Sequence, residues 1–265
     1  MPATLPLALY LETPGDPVRA LALAEELGIP LINDPHQADL LLVFGPEGLA
    51  LRRPNDPELP GSLRVDFDRP AARQRQRQPS RELVVQAARI HGAGDGPLLV
   101  DATAGLGRDG FLLAAAGFRV VLFERNPVVA ALLHDGLARA AALPRTAAVT
   151  ARIRLIVGDF VDRMDQLGER PMVISLDPMF PQRGKSAKVK QDLRLLQLLE
   201  AEGTRGHNDA GQLLHVALAA GPRKVVVKRP RNGPFLLNLA PAYTLRGKAV
   251  RFDVYLGRSS GPPSA

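Results

Sequence analysis

The chain lacks cysteine, and no apolar run among its 265 residues approaches the roughly 18 positions that a membrane-spanning helix requires. Without cysteine, disulfide bonds, thiolate metal sites, iron–sulfur clusters and cysteine nucleophiles are excluded. The five histidines are not spaced as metal ligands, so we predict no metal site. No basic residue precedes the first short apolar stretch, which argues against a secretory signal. We therefore expect a cytoplasmic globular protein that does not enter a membrane.

Composition divides the chain into three parts. Residues 1–68 predict a small α/β domain, with strands at 5–11, 38–45, 48–53 and 63–67 and a helix at 16–27. Five arginines and almost no apolar residue occur in 69–81, so we interpret 69–82 as an exposed basic linker. Residues 83–265 predict a second, larger α/β domain.

The larger part alternates strands and helices. Strands are expected at 98–101, 119–124, 153–157, 172–177 and 224–228, and helices at 108–116, 127–143, after Asp159, at 188–200 and at 209–220. Near-continuous Val, Ile and Leu in these strands indicates a parallel sheet that is covered on both faces. Residues 243–257 form two β-like runs with no helix between them, which predicts an antiparallel hairpin. A mostly parallel, Rossmann-like sheet with such an ending resembles the class I S-adenosylmethionine (AdoMet) methyltransferase fold.

A glycine-rich turn follows the first strand of this sheet, in the sequence DATAGLGRDG at 101–110. Gly105 and Gly107 allow the backbone to approach a ligand closely, although two glycines alone could also be ordinary turn residues. Asp101 opens the turn, and a carboxylate suits the ammonium of a methionyl group and repels a pyrophosphate. The turn therefore favours AdoMet over NAD.

Acidic residues also end the next two strands. Glu124 ends the second strand, where it can accept hydrogen bonds from both ribose hydroxyls. Asp159 ends the third, where it can accept from the adenine amino group while the Phe160 ring lies against the base. A single acid at a strand end is often only a solvated side chain, but three at successive carboxyl ends indicate one cofactor site.

The fourth strand ends in Asp177-Pro178-Met179-Phe180, which resembles the [Asp/Asn]-Pro-Pro-[Phe/Tyr] signature of methyltransferases that modify exocyclic or amide nitrogens. Such an amino group is planar and a poor nucleophile, so it needs orientation toward the methyl donor more than it needs a strong base. Asp177 can hold the amino group, Pro178 stiffens the loop, and Phe180 can stack on a flipped base. We predict that these three residues are catalytic.

Longer blocks resemble one family, the bacterial 16S ribosomal RNA guanine-N2 methyltransferases (RsmJ). The similar blocks are VDATAGLGRD at 100–109, ERNPVVAALLHDGLARA at 124–140, LDPMFPQRGKSAKVK at 176–190, VVVKRP at 225–230 and RFDVY at 251–255. Membership implies AdoMet as methyl donor and N2 of one guanine in 16S rRNA, free or within the small ribosomal subunit, as acceptor. The cofactor residues that the resemblance implies are Arg108, Asp109, Glu124, Arg125, Asp159, Phe160 and Asp177.

Positive charge is clustered as well as in excess, with 34 Lys and Arg against 27 Asp and Glu and a net charge of +7. Fifteen of the 34 fall in 69–81, 183–194 and 223–231, which together hold one acid. This clustering favours a phosphate-binding surface, although for any single lysine a solubilising role is the simpler interpretation. The predicted RNA-binding residues are Arg183, Lys185, Lys188, Lys190, Lys228, Arg229 and Arg231.

Other functions remain open from the residues alone. The same chemistry serves N6 of adenine in nucleic acid and the side-chain amide of a protein glutamine. An RNA-binding module with a degenerate cofactor pocket and a NAD dehydrogenase are further alternatives. The basic clusters favour nucleic acid over protein. An enzyme is favoured by the presence in one chain of the Gly105/Gly107 turn, Glu124 and Asp177-Pro178-Met179-Phe180.

Overall fold

The computed structural model describes residues 5–94, 96–178, 187–202 and 210–257, and within 187–202 it describes side chains only for 191–199. The chain begins with β1 (Leu5–Leu11), α1 (Pro17–Leu27), β2 (Leu31–Ile32), β3 (Ala38–Gly45) and β4 (Gly48–Arg52). The four strands form a sheet in the order β2-β1-β3-β4, in which β1 is parallel to both neighbours and β4 is antiparallel to β3. Asp16 caps α1 by accepting hydrogen bonds from the Val18 and Arg19 N–H groups.

The strand predicted at 63–67 is wrong. Leu63 makes one antiparallel bridge with Leu51, and the segment continues without joining the sheet. Its alternating apolar residues Leu63, Val65 and Phe67 are nevertheless buried, because they pack into the core beside the helices of the larger part. The alternation therefore reports burial on one side rather than strand pairing.

The segment predicted as an exposed linker is helical. It forms α2 (Pro70–Arg77), a 3-10 turn at Pro79–Arg81 and α3 (Leu83–Ala88). Pro70 occupies the first turn of α2, where its missing N–H costs nothing. No residue of α2 is buried, and polar contacts fix the helix, including donation from the Gln76 side-chain amide to the Phe67 carbonyl at 2.8 Å.

The larger part continues with β5 (Leu98–Asp101), α4 (Arg108–Ala115), β6 (Arg119–Glu124), α5 (Pro127–Ala141), α6 (Pro144–Thr150), β7 (Ile153–Val157), α7 (Phe160–Arg163), β8 (Val173–Leu176), α8 (Ala187–Glu202), α9 (Ala210–Ala219), β9 (Lys224–Pro230), β10 (Tyr243–Arg246) and β11 (Val250–Leu256). The sheet order is β10-β11-β9-β8-β5-β6-β7, parallel except for β11, which is antiparallel to both neighbours. The predicted fold class is confirmed. The helix predicted at 127–143 corresponds to α5, and a further helix that the sequence did not indicate, α6, begins at Pro144, whose missing N–H is tolerated at the first helical position.

One hydrophobic cluster joins the small sheet to the larger part. The rings of Phe67 and Phe111 stack with centroids 4.2 Å apart. Gly136 of α5 permits close approach, because a Cβ there would lie 2.4 Å from the Val65 Cγ1 atom. The division into domains at residue 68 stays a prediction. No helix in the described ranges has the length and apolar character to span a membrane.

Candidate active site

A cavity of about 940 Å³ opens at the carboxyl edge of the larger sheet. Ligands of open α/β sheets bind at this edge, where parallel strands release their loops. The ends of β5, β6, β8 and β9, the loop after β7, and parts of α2 and α8 line the cavity. The predicted residues among its walls are Asp101, Gly105, Arg108, Asp109, Glu124, Arg125, Asp159, Phe160, Asp177, Pro178 and Lys228.

The two glycines of the turn after β5 have different surroundings. Gly105 has a φ of +53°, and a Cβ built on it would meet only open space. Its N–H donates to the Glu124 carboxylate at 2.7 Å, and the same carboxylate accepts from the Asn126 N–H at 2.8 Å. Gly107 does not line the cavity, because its φ of +68° begins α4 and its Cβ would lie 2.5 Å from the Leu133 Cδ1 atom. We correct its predicted cofactor contact to a packing role.

Asp101 ends β5 and is nearly fully buried. Burial raises the pKa of its carboxyl to about 7, against the lowering effect of a hydrogen bond from the Thr103 N–H, and the nearby charges of Asp109 and Asp177 raise it further. A carboxyl in this state gains from a cationic ligand, because the nearby charge of Lys228 offsets the effect of burial only in part.

Lys228 lies between two carboxylates of the cavity. Its Nζ atom donates to the Asp109 Oδ2 atom at 2.8 Å and to the Asp177 Oδ2 atom at 2.7 Å. Burial alone would lower the pKa of the ammonium, but Asp177 and Asp109 outweigh it and raise that pKa above its ordinary value. The prediction that Lys228 contacts RNA phosphate is therefore corrected, because its charge is directed into the cavity.

Asp109 is also reached from α2. The Arg75 NH2 atom lies 3.6 Å from the Asp109 Oδ1 atom and donates to the Glu82 Oε2 atom at 2.8 Å. Burial would raise the pKa of Asp109, but Lys228 first and Arg75 second lower it below its ordinary value. Arg75 is a site residue that the sequence does not indicate, because an arginine in a segment without apolar periodicity carries no signal of where its side chain lies.

Two further predicted residues, Arg108 and Arg125, lie in the walls of the cavity. The Arg108 NH2 atom donates to the Asp192 Oδ2 atom at 2.5 Å, which ties α4 to α8. Asp192 is 6% exposed, so this ion pair lies in the wall of the cavity and not on the outer surface. Arg125 follows β6 and lines the cavity beside Glu124.

Asp159 and Phe160 lie at the start of α7, just after β7, and both line the cavity. The Asp159 carboxylate caps the helix by accepting from the Val161 N–H at 2.9 Å. The Phe160 ring is 1% exposed and packs edge-on against Phe123, with centroids 5.4 Å apart. A ring so completely buried offers little area to a base. We therefore correct the predicted stacking of Phe160 on adenine to a supporting contact with Phe123 within the cavity wall.

Asp177 is fixed through its backbone. Its N–H donates to the Thr103 hydroxyl at 2.7 Å, which joins the end of β8 to the turn after β5. The Asp177 side chain is 39% exposed toward the cavity, and Pro178 beside it is buried. The carboxylate is therefore presented to a ligand from a rigid support.

The remaining predicted residues divide into three groups. Arg229 is 4% exposed and donates to the Pro234 carbonyl at 2.8 Å, so its predicted RNA contact is corrected to a structural one. Arg231 is exposed and donates to the Gly247 carbonyl at 3.1 Å. Phe180, Arg183 and Lys185 lie outside the described residues, and Lys188 and Lys190 lie in α8 without described side chains.

The residues present fit AdoMet. Asp101 and Asp109 offer carboxylates to an ammonium, and Glu124 in the same cavity offers a carboxylate that can accept from ribose hydroxyls. Among the described residues, no group of three His, Cys, Asp or Glu side chains is arranged to hold a metal ion. The sheet order, with its antiparallel final pair, and this acid-lined edge together define a class I AdoMet-dependent methyltransferase.

Comparison with known proteins agrees with this class. Residues 22–257 match the family described as "Putative SAM-dependent methyltransferase". The protein named Ribosomal RNA small subunit methyltransferase J of Pseudomonas paraeruginosa is 45% identical over 88% of this chain and 87% of its own length. The protein of the same name from Thioalkalivibrio sulfidiphilus is 43% identical over 90% and 92%. The chain belongs to this methyltransferase family, which confirms the resemblance found in the sequence.

A solved structure supports the same assignment. The crystal structure of a SAM-dependent methyltransferase from Neisseria gonorrhoeae superposes with a TM-score of 0.73 and is 31% identical, covering 96% of this chain and 97% of its own. The similarity therefore extends over the N-terminal sheet as well as the larger part. AdoMet is accordingly the cofactor of this protein.

Proposed function

We propose that the protein transfers a methyl group from AdoMet to the exocyclic N2 amino group of one guanine in 16S rRNA. The observation that carries the proposal is the Asp177 carboxylate, held at the carboxyl end of β8 in the same cavity as Asp101 and Glu124. The relatives named Ribosomal RNA small subunit methyltransferase J support small-subunit rRNA as the substrate. A ribosomal substrate places the reaction in the cytoplasm.

The cofactor would be held by four acids. Asp101 and Asp109 attract the methionyl ammonium, Glu124 accepts from the ribose hydroxyls, and Asp159 accepts from the adenine amino group. Bound AdoMet supplies a methyl group activated by its positively charged sulfur. The balance of charge favours this cation, because Asp101, Asp109 and Asp177 are compensated, among the described residues, by Lys228 and by Arg75, which also pairs with Glu82.

The acceptor amino group would be oriented by Asp177. A guanine N2 lone pair is delocalised into the ring, so positioning supplies most of the catalysis that the protein can offer. The Asp177 carboxylate accepts a hydrogen bond from the amino group, and its fixed backbone leaves little freedom for misalignment. Pro178 removes one backbone donor and stiffens the same loop. The proton that leaves N2 after methylation passes to Asp177 or to water.

RNA rather than protein is favoured by the charge of the chain. Arg75 of α2 lines the cavity, and Arg231 is exposed directly after β9, where a polyanion could contact it. Phosphate contacts of this kind give affinity without choosing the base. The choice of base must therefore be made inside the cavity.

Methylation mapping tests the proposal. 16S rRNA from cells without this protein is digested and compared by mass spectrometry with rRNA from cells complemented by the wild type or by Asp177→Ala. We expect one N2-methylguanine that is absent without the protein, restored by the wild type and not restored by the variant. Loss of a methylated adenine instead, or an unchanged rRNA, would contradict the proposal.

A further inference from the structure

The ammonium of Lys228 occupies an unusual place for a lysine that only stabilises the fold. It lies inside the cavity at the end of β9, next to the end of β8, and its side chain keeps 24% exposure toward the cavity. An ammonium carries three donors, and Asp109 and Asp177 accept two of them. In the part of the chain that the structure describes, one donor therefore remains for an acceptor on a ligand.

Lys228 and Asp177 together present a donor beside an acceptor, and the Lys228 Nζ atom lies 2.7 Å from the Asp177 Oδ2 atom. The edge of guanine that carries N2 has the complementary order, because the O6 acceptor is followed by the N1–H and N2–H donors. Adenine reverses this order, since its N6 amino group is a donor at the position where guanine has O6. A base in the orientation that guanine requires would therefore bring toward the lysine the O6 acceptor if it is guanine and the N6 donor if it is adenine.

We propose that Lys228 selects guanine by donating a hydrogen bond to O6 of the target base while Asp177 accepts from its N–H groups. This inference rests on the proposed function and assigns the choice of base to a residue outside the Asp177-Pro178 loop. Adenine in the same ring orientation would place its N6 donor against an ammonium that cannot accept, and it carries no amino group at position 2 for Asp177 to hold.

The surroundings of Lys228 prepare it for this contact. Asp109 holds the ammonium together with Asp177, and Arg75 lies 3.6 Å from that same Asp109 carboxylate. The lysine therefore does not have to be ordered from solution when the base arrives. Preorganisation of this kind lowers the entropic cost of a selective hydrogen bond.

The test replaces one atom of the base and one side chain of the protein. Small subunits are reconstituted with 16S rRNA that carries either guanine or 6-thioguanine at the methylated position, and kcat/KM is measured for each. Thioguanine keeps the N1–H and N2–H donors and weakens only the acceptor at position 6. We expect the wild type to prefer guanine by about tenfold and Lys228→Met to lose this preference, to within about twofold, through slower reaction with guanine.

Two variants serve as controls. Lys228→Arg keeps a cationic donor and should retain part of the preference for guanine. Lys224→Met removes a lysine from the other end of β9, where it donates to the Arg89 carbonyl at 2.6 Å, and should leave the preference unchanged.

Two results overturn the inference while leaving the proposed function intact. A Lys228→Met enzyme that is slower on both bases but keeps the full preference would show that Lys228 only holds Asp177. A wild type that uses both bases equally would show that O6 is not recognised. If the wild type methylates neither the subunit with guanine nor the subunit with 6-thioguanine, the proposed function and this inference are both wrong.

Discussion

Single residues of the cavity differ in how firmly they hold their charge. Lys228 and Asp109 stabilise each other in their ionised states, whereas burial leaves Asp101 with a pKa of about 7. A carboxyl that titrates near neutrality makes cofactor binding depend on pH. The site is therefore suited to a cationic ligand, and the ionised form of Asp101 is unfavourable when no such ligand is bound.

We expect AdoMet affinity to rise as the pH increases from about 6 to about 8, because Asp101 must be ionised to attract the methionyl ammonium. Binding should release protons near pH 7, which calorimetry in buffers of different ionisation enthalpy measures directly. Asp101→Asn should bind AdoMet weakly and lose most of this pH dependence. An equally steep dependence in that variant would contradict the role of Asp101.

The same carboxyl should also affect stability. Its folded-state pKa is raised from an ordinary 3.8 to about 7, so its contribution to the free energy of unfolding is full below the ordinary pKa and is lost as the pH rises through the folded-state value. Asp101→Asn should therefore raise the Tm of the cofactor-free protein at pH 8 by several degrees, roughly what a few kcal/mol produces. Thermal unfolding followed by circular dichroism at pH 5 and pH 8 would check the sign, with the gain smaller at the lower pH.

Asp177 is the residue whose loss should affect the chemical step most directly. Asp177→Ala should lower kcat by at least about a hundredfold, because the acceptor amino group loses its positioning partner. The Kd for AdoMet should change less, since Asp101, Asp109 and Glu124 remain. Asp162→Ala, an exposed acid on α7, is the matched control and should retain normal turnover. Normal turnover by Asp177→Ala would remove Asp177 from the mechanism.

Among the elements, α2 departs furthest from what the sequence led us to expect. Its residues have no apolar stripe to bury, so hydrophobic periodicity could not distinguish a helix from a linker. The helix is held instead by polar contacts to its neighbours, and Arg75 connects it with the cavity through Asp109. It is thus an element of the site wall as well as part of the basic surface.

Removal of the Arg75 side chain should loosen α2 without unfolding it. Partly exposed ion pairs contribute less than about 1 kcal/mol each, so Arg75→Ala should accelerate amide hydrogen exchange in 71–77 by about three- to fivefold. Arg77→Ala, from the last turn of the same helix, should leave exchange nearly unchanged. If both variants behave alike, the contacts of Arg75 do not fix the helix.

The strands of the larger sheet were predicted well for a physical reason. Central parallel strands must be apolar on both faces, so runs such as 119–124 and 224–228 stand out from the helices between them. The carboxyl ends of those strands must then lie at one edge, which brings Asp101, Glu124 and Asp177 into one cavity. Contacts between distant segments, such as Arg108 with Asp192 or Lys228 with Asp109, could not be predicted because no local pattern specifies a long-range partner.

For the whole molecule, the shared core raises the question of whether the small sheet folds by itself. Phe67 stacks on Phe111, and Val65 packs against Gly136, so the two parts predicted as separate domains are joined through buried side chains. A small sheet of four strands buries little apolar area without such support. We therefore expect both parts to unfold together.

Phe67→Ala tests this expectation. Deletion of a buried aromatic ring should lower the free energy of unfolding by about 3 to 5 kcal/mol, and urea unfolding should stay a single transition by circular dichroism and by limited proteolysis. Val18→Ala, at an exposed position of α1, should change stability by less than about 0.5 kcal/mol. Selective loss of the N-terminal sheet, with the larger part intact, would instead support two independent domains.

The stack of Phe67 on Phe111 has an evolutionary consequence. Phe111 lies one turn after Arg108 on the helix that follows the glycine-rich turn, so the gap between the two rings helps to set where that helix rests. Across homologous chains, a smaller side chain at position 67 should accompany a bulkier one at position 111, and the reverse. Paired substitutions at these two sites would record selection on the placement of the AdoMet site by a part of the chain that never touches it.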